Sequence, residues 1–204
     1  GIDNLMKNVR YQGLRGYPRD FVEIHSQLNE HWAFEPQVLG VYAKHYKTGE
    51  TIPMDIVEKL KEASKFGQGF ATVEYLAASY LDMDFHSLKQ IPEDLDVEAF
   101  EAKVLENRGL IRQIPPRYRS TYFNHTFGGG YTAGYYSYIW AEVLDADAYD
   151  AYKETGDIFN HEVAERYRKE ILEKAGSEEA MQLYLNFRGK EPDIEPLLAN
   201  RGLN

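Results

Sequence analysis

The residues best suited to chemistry sit in two short stretches. In "FNHTFGGGYTAGYYSYIW", residues 123–140, His125 stands just before Gly128, Gly129 and Gly130, and Tyr131, Tyr135, Tyr136 and Tyr138 follow. Phenol hydroxyls and an imidazole can donate hydrogen bonds to a peptide carbonyl, or to the oxyanion it becomes under attack. Tyr131, Tyr135 and Tyr138 are spaced i, i+4 and i+7, which puts three phenols on one face of a helix. Tyr136, Ile139, Trp140 and Val143 fall on another face that reads as core. A helix aromatic on two faces is most often simply buried, so on pattern alone packing outweighs chemistry. The glycines lack the Gly-Lys-Ser/Thr of a phosphate loop, and no apolar strand precedes them. They read as a place where the backbone approaches a neighbour closely or takes a positive φ.

The second stretch, "EIHSQLNEH" at residues 23–31, groups Glu23, His25, Glu30 and His31. Carboxylates and imidazoles are zinc ligands. Yet the sequence holds no His-Glu-x-x-His pair, the mark of a helical zinc peptidase site. By spacing alone, each of these residues is more often a solvated or capping group than a ligand. His45, His86 and His161 have no partner pattern and read as structural or surface residues. There is no cysteine and no Gly-x-Ser-x-Gly elbow, so acyl-enzyme hydrolysis has no nucleophile of the familiar kind.

Helices must position these groups. Phe21, Ile24, Leu28 and Trp32 recur every three or four residues, giving a helix over 20–34 with Asp20 as its cap. Further helices are expected at 2–10, 36–46, from Pro53 to 66, at 70–86, and up to Gly109. Residues 110–130 read mostly as loop, and the Tyr-rich helix as 131–146. An amphipathic helix ends at Gly176 with a charged, solvated face over 157–174. Another runs from Ser177 to Gly189, and a short one closes the chain. With no strand alternation, residues 1–204 read as a single helical domain of all-α class. The 33 acidic residues exceed the 23 basic ones, a net charge of −10, and with no basic block the charge argues against a duplex-binding surface. No apolar run approaches the roughly 20 residues of a membrane span. The lack of cysteine leaves the redox compartment open. The compartment expected is the cytoplasm, with the periplasm or secretion as alternatives.

Two segments, "YPRDFVEIHSQLNEHW" and "FNHTFGGGYTAGYYSYIWAEVLDADAY", resemble the C-terminal catalytic region of the M3 zinc metallopeptidases. The resemblance extends over nearly the whole chain, and the second segment is most similar to the peptidyl-dipeptidase branch. It implies a multi-helix domain forming one half of a zincin-like peptidase cleft. In that family the two histidines of His-Glu-x-x-His and a later glutamate hold zinc. The glutamate lies in an Asp-Phe-Val-Glu segment, which here makes Glu23 the metal ligand. The family's second histidine stands about twenty residues earlier, and Gly1 lies 22 positions before Glu23. The chain is therefore expected to be a C-terminal fragment beginning just after that motif. Two ligands and the general base would lie outside it.

The resemblance also assigns His125, Tyr131 and Tyr138 to contact substrate or stabilise the tetrahedral intermediate, with Tyr138 and His125 as catalytic groups. Tyr131, Tyr135, Gly128, Gly129 and Gly130 would bind substrate, the glycines as a mobile flank. The activity implied is hydrolysis of short peptides, with release of C-terminal dipeptides. Zinc would serve the complete enzyme, and the 204 residues alone would bind none stably and be inactive. The partners expected are a short peptide and the missing N-terminal part, with self-association of the fragment, and neither nucleic acid nor membrane. The alternative is a non-catalytic helical module that binds peptide in a Tyr-lined cleft.

Overall fold

The computed structural model describes residues 1–203. The fold is all-α, and among the described residues the only extended pairing is an isolated bridge between Lys44 and Thr51. The chain forms two compact units, Gly1–Phe66 with Ile139–Asn204, and Gly67–Tyr138. Among the described residues no helix is long and apolar enough to cross a membrane.

The first unit opens with helices α1 (Ile2–Met6), α2 (Arg19–Val22), α3 (Ile24–Ala33), α4 (Pro36–Tyr42) and α5 (Met54–Ser64). The single helix expected from Asp20 is two helices joined at Glu23, and Pro18 rather than Asp20 precedes the first turn. Pro36 occupies the first turn of α4, where its missing N–H leaves no helical bond unmade.

The second unit contains α6 (Gln68–His86), α7 (Val97–Asn107) and the single turn α8 (Asn124–Phe127). Asp96 caps α7 by accepting the Ala99 N–H at 3.0 Å. Leu81 and Phe85 of α6 bury themselves against Val104 of α7, with Leu95 and Phe100 at the margin. The irregular stretch after α7 is pinned by the buried carboxylate of Glu101. It accepts the backbone N–H of Ser120 at 2.7 Å and its hydroxyl at 2.8 Å, and pairs with Arg119.

Helix α9 (Ser137–Lys153) starts in the second unit and runs through the first, followed by α10 (His161–Tyr167), α11 (Ala180–Arg188) and α12 (Glu195–Arg201). The amphipathic helix expected through 157–176 begins only at His161. Asp157 first accepts the Phe159 N–H at 2.9 Å in a tight turn, and Asn160 then caps at Val163. Beyond Tyr167 the helix widens into a π-turn, Arg168–Leu172, closed by the Glu173 N–H donating to the Arg168 carbonyl at 2.8 Å. Its charged side chains pair along the surface as expected, with Arg168 to Glu165 at 2.6 Å and Lys174 to Glu170 at 2.8 Å.

The first unit's core takes Phe21, Ile24 and Leu28 from α2 and α3. Leu144, Ala148 and Tyr152 come from α9, Val163 and Tyr167 from α10, and Leu183, Tyr184 and Phe187 from α11. A fully buried ionic group lies beside this core. Asp147, fully buried, accepts from Arg188 Nε at 3.1 Å and from the Tyr184 hydroxyl at 2.6 Å. A charge withdrawn from water needs such partners to remain charged.

Candidate functional site

The histidine and the tyrosines meet in the second unit. Phe123, 1% exposed, anchors the start of α8. The helix lasts one turn, and the glycines then fold back over it. Gly128 and Gly129 both donate to the Asn124 carbonyl, at 2.8 and 2.5 Å, and Tyr131 donates to the His125 carbonyl at 2.9 Å. Glycine is required here: a Cβ on Gly129 would lie 2.9 Å from His125 Cα and 3.0 Å from the Asn124 carbonyl oxygen. Gly130 has φ +83°, in the left-handed region. The glycine run thus ties Tyr131 to His125.

The resulting ring cluster is close. Tyr131 and Tyr138 stack with centroids 5.0 Å apart and planes 23° from parallel. His125 lies 5.9 Å from Tyr131, 5.6 Å from Tyr135 and 6.1 Å from Tyr138. His125, Tyr131 and Tyr138 are half-buried, while Tyr135 is only 3% exposed and packs with Phe123 and Ala78. Burial pushes the Tyr135 phenol above its ordinary range, against the opposing pull of the Arg117 guanidinium. It remains a protonated donor at neutral pH.

These rings do not meet through the helical spacing expected of them. The helix begins at Ser137, six residues later than the expected 131, and residues 132–136 form turns. The cause is Asp82 on α6, fully buried, which takes the backbone N–H groups of Ala133 at 3.0 Å and Tyr135 at 2.9 Å. Ala133 accordingly sits at φ +50°. The shift also reverses two burial expectations. Tyr136, read as core, is 40% exposed, while its neighbour Tyr135 is buried. Asp82 escaped the sequence reading, as did Tyr75, whose ring stacks 5.1 Å from that of Tyr135, and Tyr118, whose ring lies 5.0 Å from that of His125. The available signal was a lone acid on the apolar face of "FATVEYLAASYLDMDFH".

Glu23 belongs to the first unit, at the joint between α2 and α3. Its carboxylate accepts the Ser26 hydroxyl at 2.7 Å. The neighbouring histidines are not solvated. His25 is buried, with Nδ1 2.8 Å from the Tyr167 hydroxyl, and burial lowers its pKa to about 4. His31 Nε2 meets Asp145 Oδ1 at 2.6 Å, and its ring stacks on Tyr149 at 4.7 Å. A catalytic zinc ion needs three protein ligands. Among the described residues no group of three or more His, Cys, Asp or Glu could hold a metal. The residues present therefore do not fit zinc by themselves.

The profile of Peptidase family M3 matches residues 2–203. Dipeptidyl carboxypeptidase of Escherichia coli (strain K12) is 45% identical over 207 residues, covering all of this chain and 30% of that relative. Oligopeptidase A of the same organism is 36% identical over 209 residues, again all of this chain and 30% of the relative. Saccharolysin of Saccharomyces cerevisiae is 31% identical, with all of this chain and 29% of the relative covered. The chain thus spans less than a third of the length of these curated relatives. With the family's profile running from residue 2 to residue 203, the chain belongs to peptidase family M3.

Proposed function

We propose that this chain is the peptide-facing part of a zinc peptidase that hydrolyses short peptides and releases C-terminal dipeptides. The observation that carries the reading is the cluster of His125, Tyr131 and Tyr138, three half-buried rings with polar edges gathered by one glycine turn. A neutral phenol donates weakly to a peptide carbonyl and more strongly to the same oxygen once it carries charge. In this reading Tyr138 is the oxyanion donor and His125 a second donor beside it. Tyr131 and the exposed backbone of Gly128, Gly129 and Gly130 form the bed of the peptide, and the buried Tyr135, expected to touch substrate, instead supports them from behind.

Glu23 is the one ligand this chain would contribute to a zinc ion whose other ligands lie elsewhere in the complete enzyme. The preference for dipeptide release follows the higher identity to the dipeptidyl carboxypeptidase than to the oligopeptidases. Substituting Tyr138→Phe in the complete enzyme tests the site. The expected result is a fall in kcat of about a hundredfold or more, with an unmoved melting temperature. An unchanged rate with a lowered melting temperature would reduce Tyr138 to packing. The 204-residue chain alone is expected to cleave nothing, and chelator-sensitive hydrolysis by the purified chain would refute that.

A further inference from the structure

We infer that Asp82 is a positioning residue for the peptide-facing phenols, and that α6 is the mount on which their turn is fixed. The inference rests on the reading of the His125, Tyr131 and Tyr138 cluster as the peptide site.

Three observations carry it. First, Asp82 is fully buried on the α6 face that also bears Tyr75 and Ala78, and it spends both oxygens on the tyrosine turn. Oδ1 accepts from the Ala133 N–H and Oδ2 from the Tyr135 N–H, while His86 Nδ1 stands 2.9 Å from Oδ1. A carboxylate buried at such cost of desolvation is held there by these donors. Second, α6 grips the other end of the same residue, because the Tyr75 hydroxyl donates to the Tyr135 carbonyl and the two rings stack at 5.1 Å. Both peptide groups of Tyr135 are therefore fixed from one helix.

Third, the geometry of the phenols depends on the turn. Seven residues of α-helix would separate Tyr131 and Tyr138 by about 10.5 Å of rise. In the structure their rings stack at 5.0 Å. The Tyr135 N–H captured by Asp82 cannot serve a helical ladder, and that of Ala133 is held off the helix axis, so helix α9 waits until Ser137. The chain instead bends through Ala133 at φ +50°, a conformation an L-residue adopts only when its surroundings impose it. Removing the carboxylate frees the turn to wind into helix and draws the two phenols apart.

The test is a double-mutant cycle in the complete enzyme, hydrolysing a short peptide. Asp82→Asn keeps the shape but sets an amide N–H against one of the two backbone donors. It is expected to lower kcat about a hundredfold with little change in KM, since misplacing a transition-state donor by about 1 Å costs that much. Combined with Tyr138→Phe it should add far less than its own full loss, because the oxyanion donor it positions is already gone and only the placing of Tyr131 remains to be lost. Tyr75→Phe deletes only the hydroxyl on the Tyr135 carbonyl. Run through the same cycle, it must also lose most of its effect in the Tyr138→Phe background, and it serves alone if Asp82→Asn does not fold. Losses that multiply independently in the cycle would overturn the inference and leave Asp82 as scaffold, with Tyr138 still in the site. A silent Tyr138→Phe would withdraw the site reading itself, and this inference with it.

Discussion

Asp145 is placed to make the stability of the first unit depend on pH in an unusual direction. Its carboxylate lies under α3, 2.6 Å from His31 Nε2 and 3.1 Å from Gln27 Nε2. Burial pushes its pKa from 3.8 up to about 6, against the downward pull of the His31 hydrogen bond. Between those two values the folded chain holds a proton that the unfolded chain has released. Its contribution to stability is thus complete below 3.8 and is lost as pH rises through about 6. Two pKa units at about 1.4 kcal/mol each give a decline of about 3 kcal/mol. Asp145→Asn removes the ionisation while its amide oxygen can still accept from His31, with the Gln27 amide turned over to match. Urea unfolding of both chains from about pH 3.5 to 7 isolates the carboxylate together with its His31 partner, because titrations of groups that do not touch Asp145 cancel in the difference. The variant should gain about 3 kcal/mol relative to the parent across that range. A pH-independent difference would refute the argument, as would a carboxyl carbon of Asp145 that titrates near 4 by NMR.

Arg188→Met leaves the Asp147 carboxylate buried without its guanidinium, and urea unfolding should show a loss of about 3–5 kcal/mol. Leu144→Ala opens a cavity in the first unit's core, where Leu144 is fully buried, and should cost about 2–5 kcal/mol by the same measurement. Gly129→Ala drives a methyl into the α8 backbone, which has no flexible side chain to yield. It should lower stability by about 1–3 kcal/mol and reduce kcat/KM of the complete enzyme; an unchanged melting temperature would contradict the packing described.

The all-α class was legible because apolar residues recur at helical spacing between prolines and glycines. Phe21, Ile24 and Leu28 lie buried on one side as their spacing required. What escaped depends on partners distant in sequence. The pattern from Tyr131 to Tyr138 fits a helix well, and nothing local reveals that Asp82, about fifty residues earlier, takes two of its donors. That one carboxylate moves the start of α9 and exchanges the burial of Tyr135 and Tyr136. His31 was misread, and Asp147 was passed over, for the same reason. An acid or imidazole looks solvated until Asp145, Tyr184 or Arg188 is seen beside it. Glycine chemistry was easier to anticipate, since Gly129 and Gly130 meet the two conditions, close approach and positive φ, that their clustering suggested.

The wide turn at Arg168–Leu172 settles a question of phase. Val163, Tyr167 and Ile171 recur at every fourth residue, and all three are buried. A regular α-helix would carry such a row around its axis by about 40° per step, turning Ile171 about 80° away from Val163. One extra residue in the winding cancels that drift and holds the row in line with the core. Related peptidases that lack the wide turn should therefore show a one-residue gap between Arg168 and Leu172, with a buried row spaced by three and four rather than by four alone.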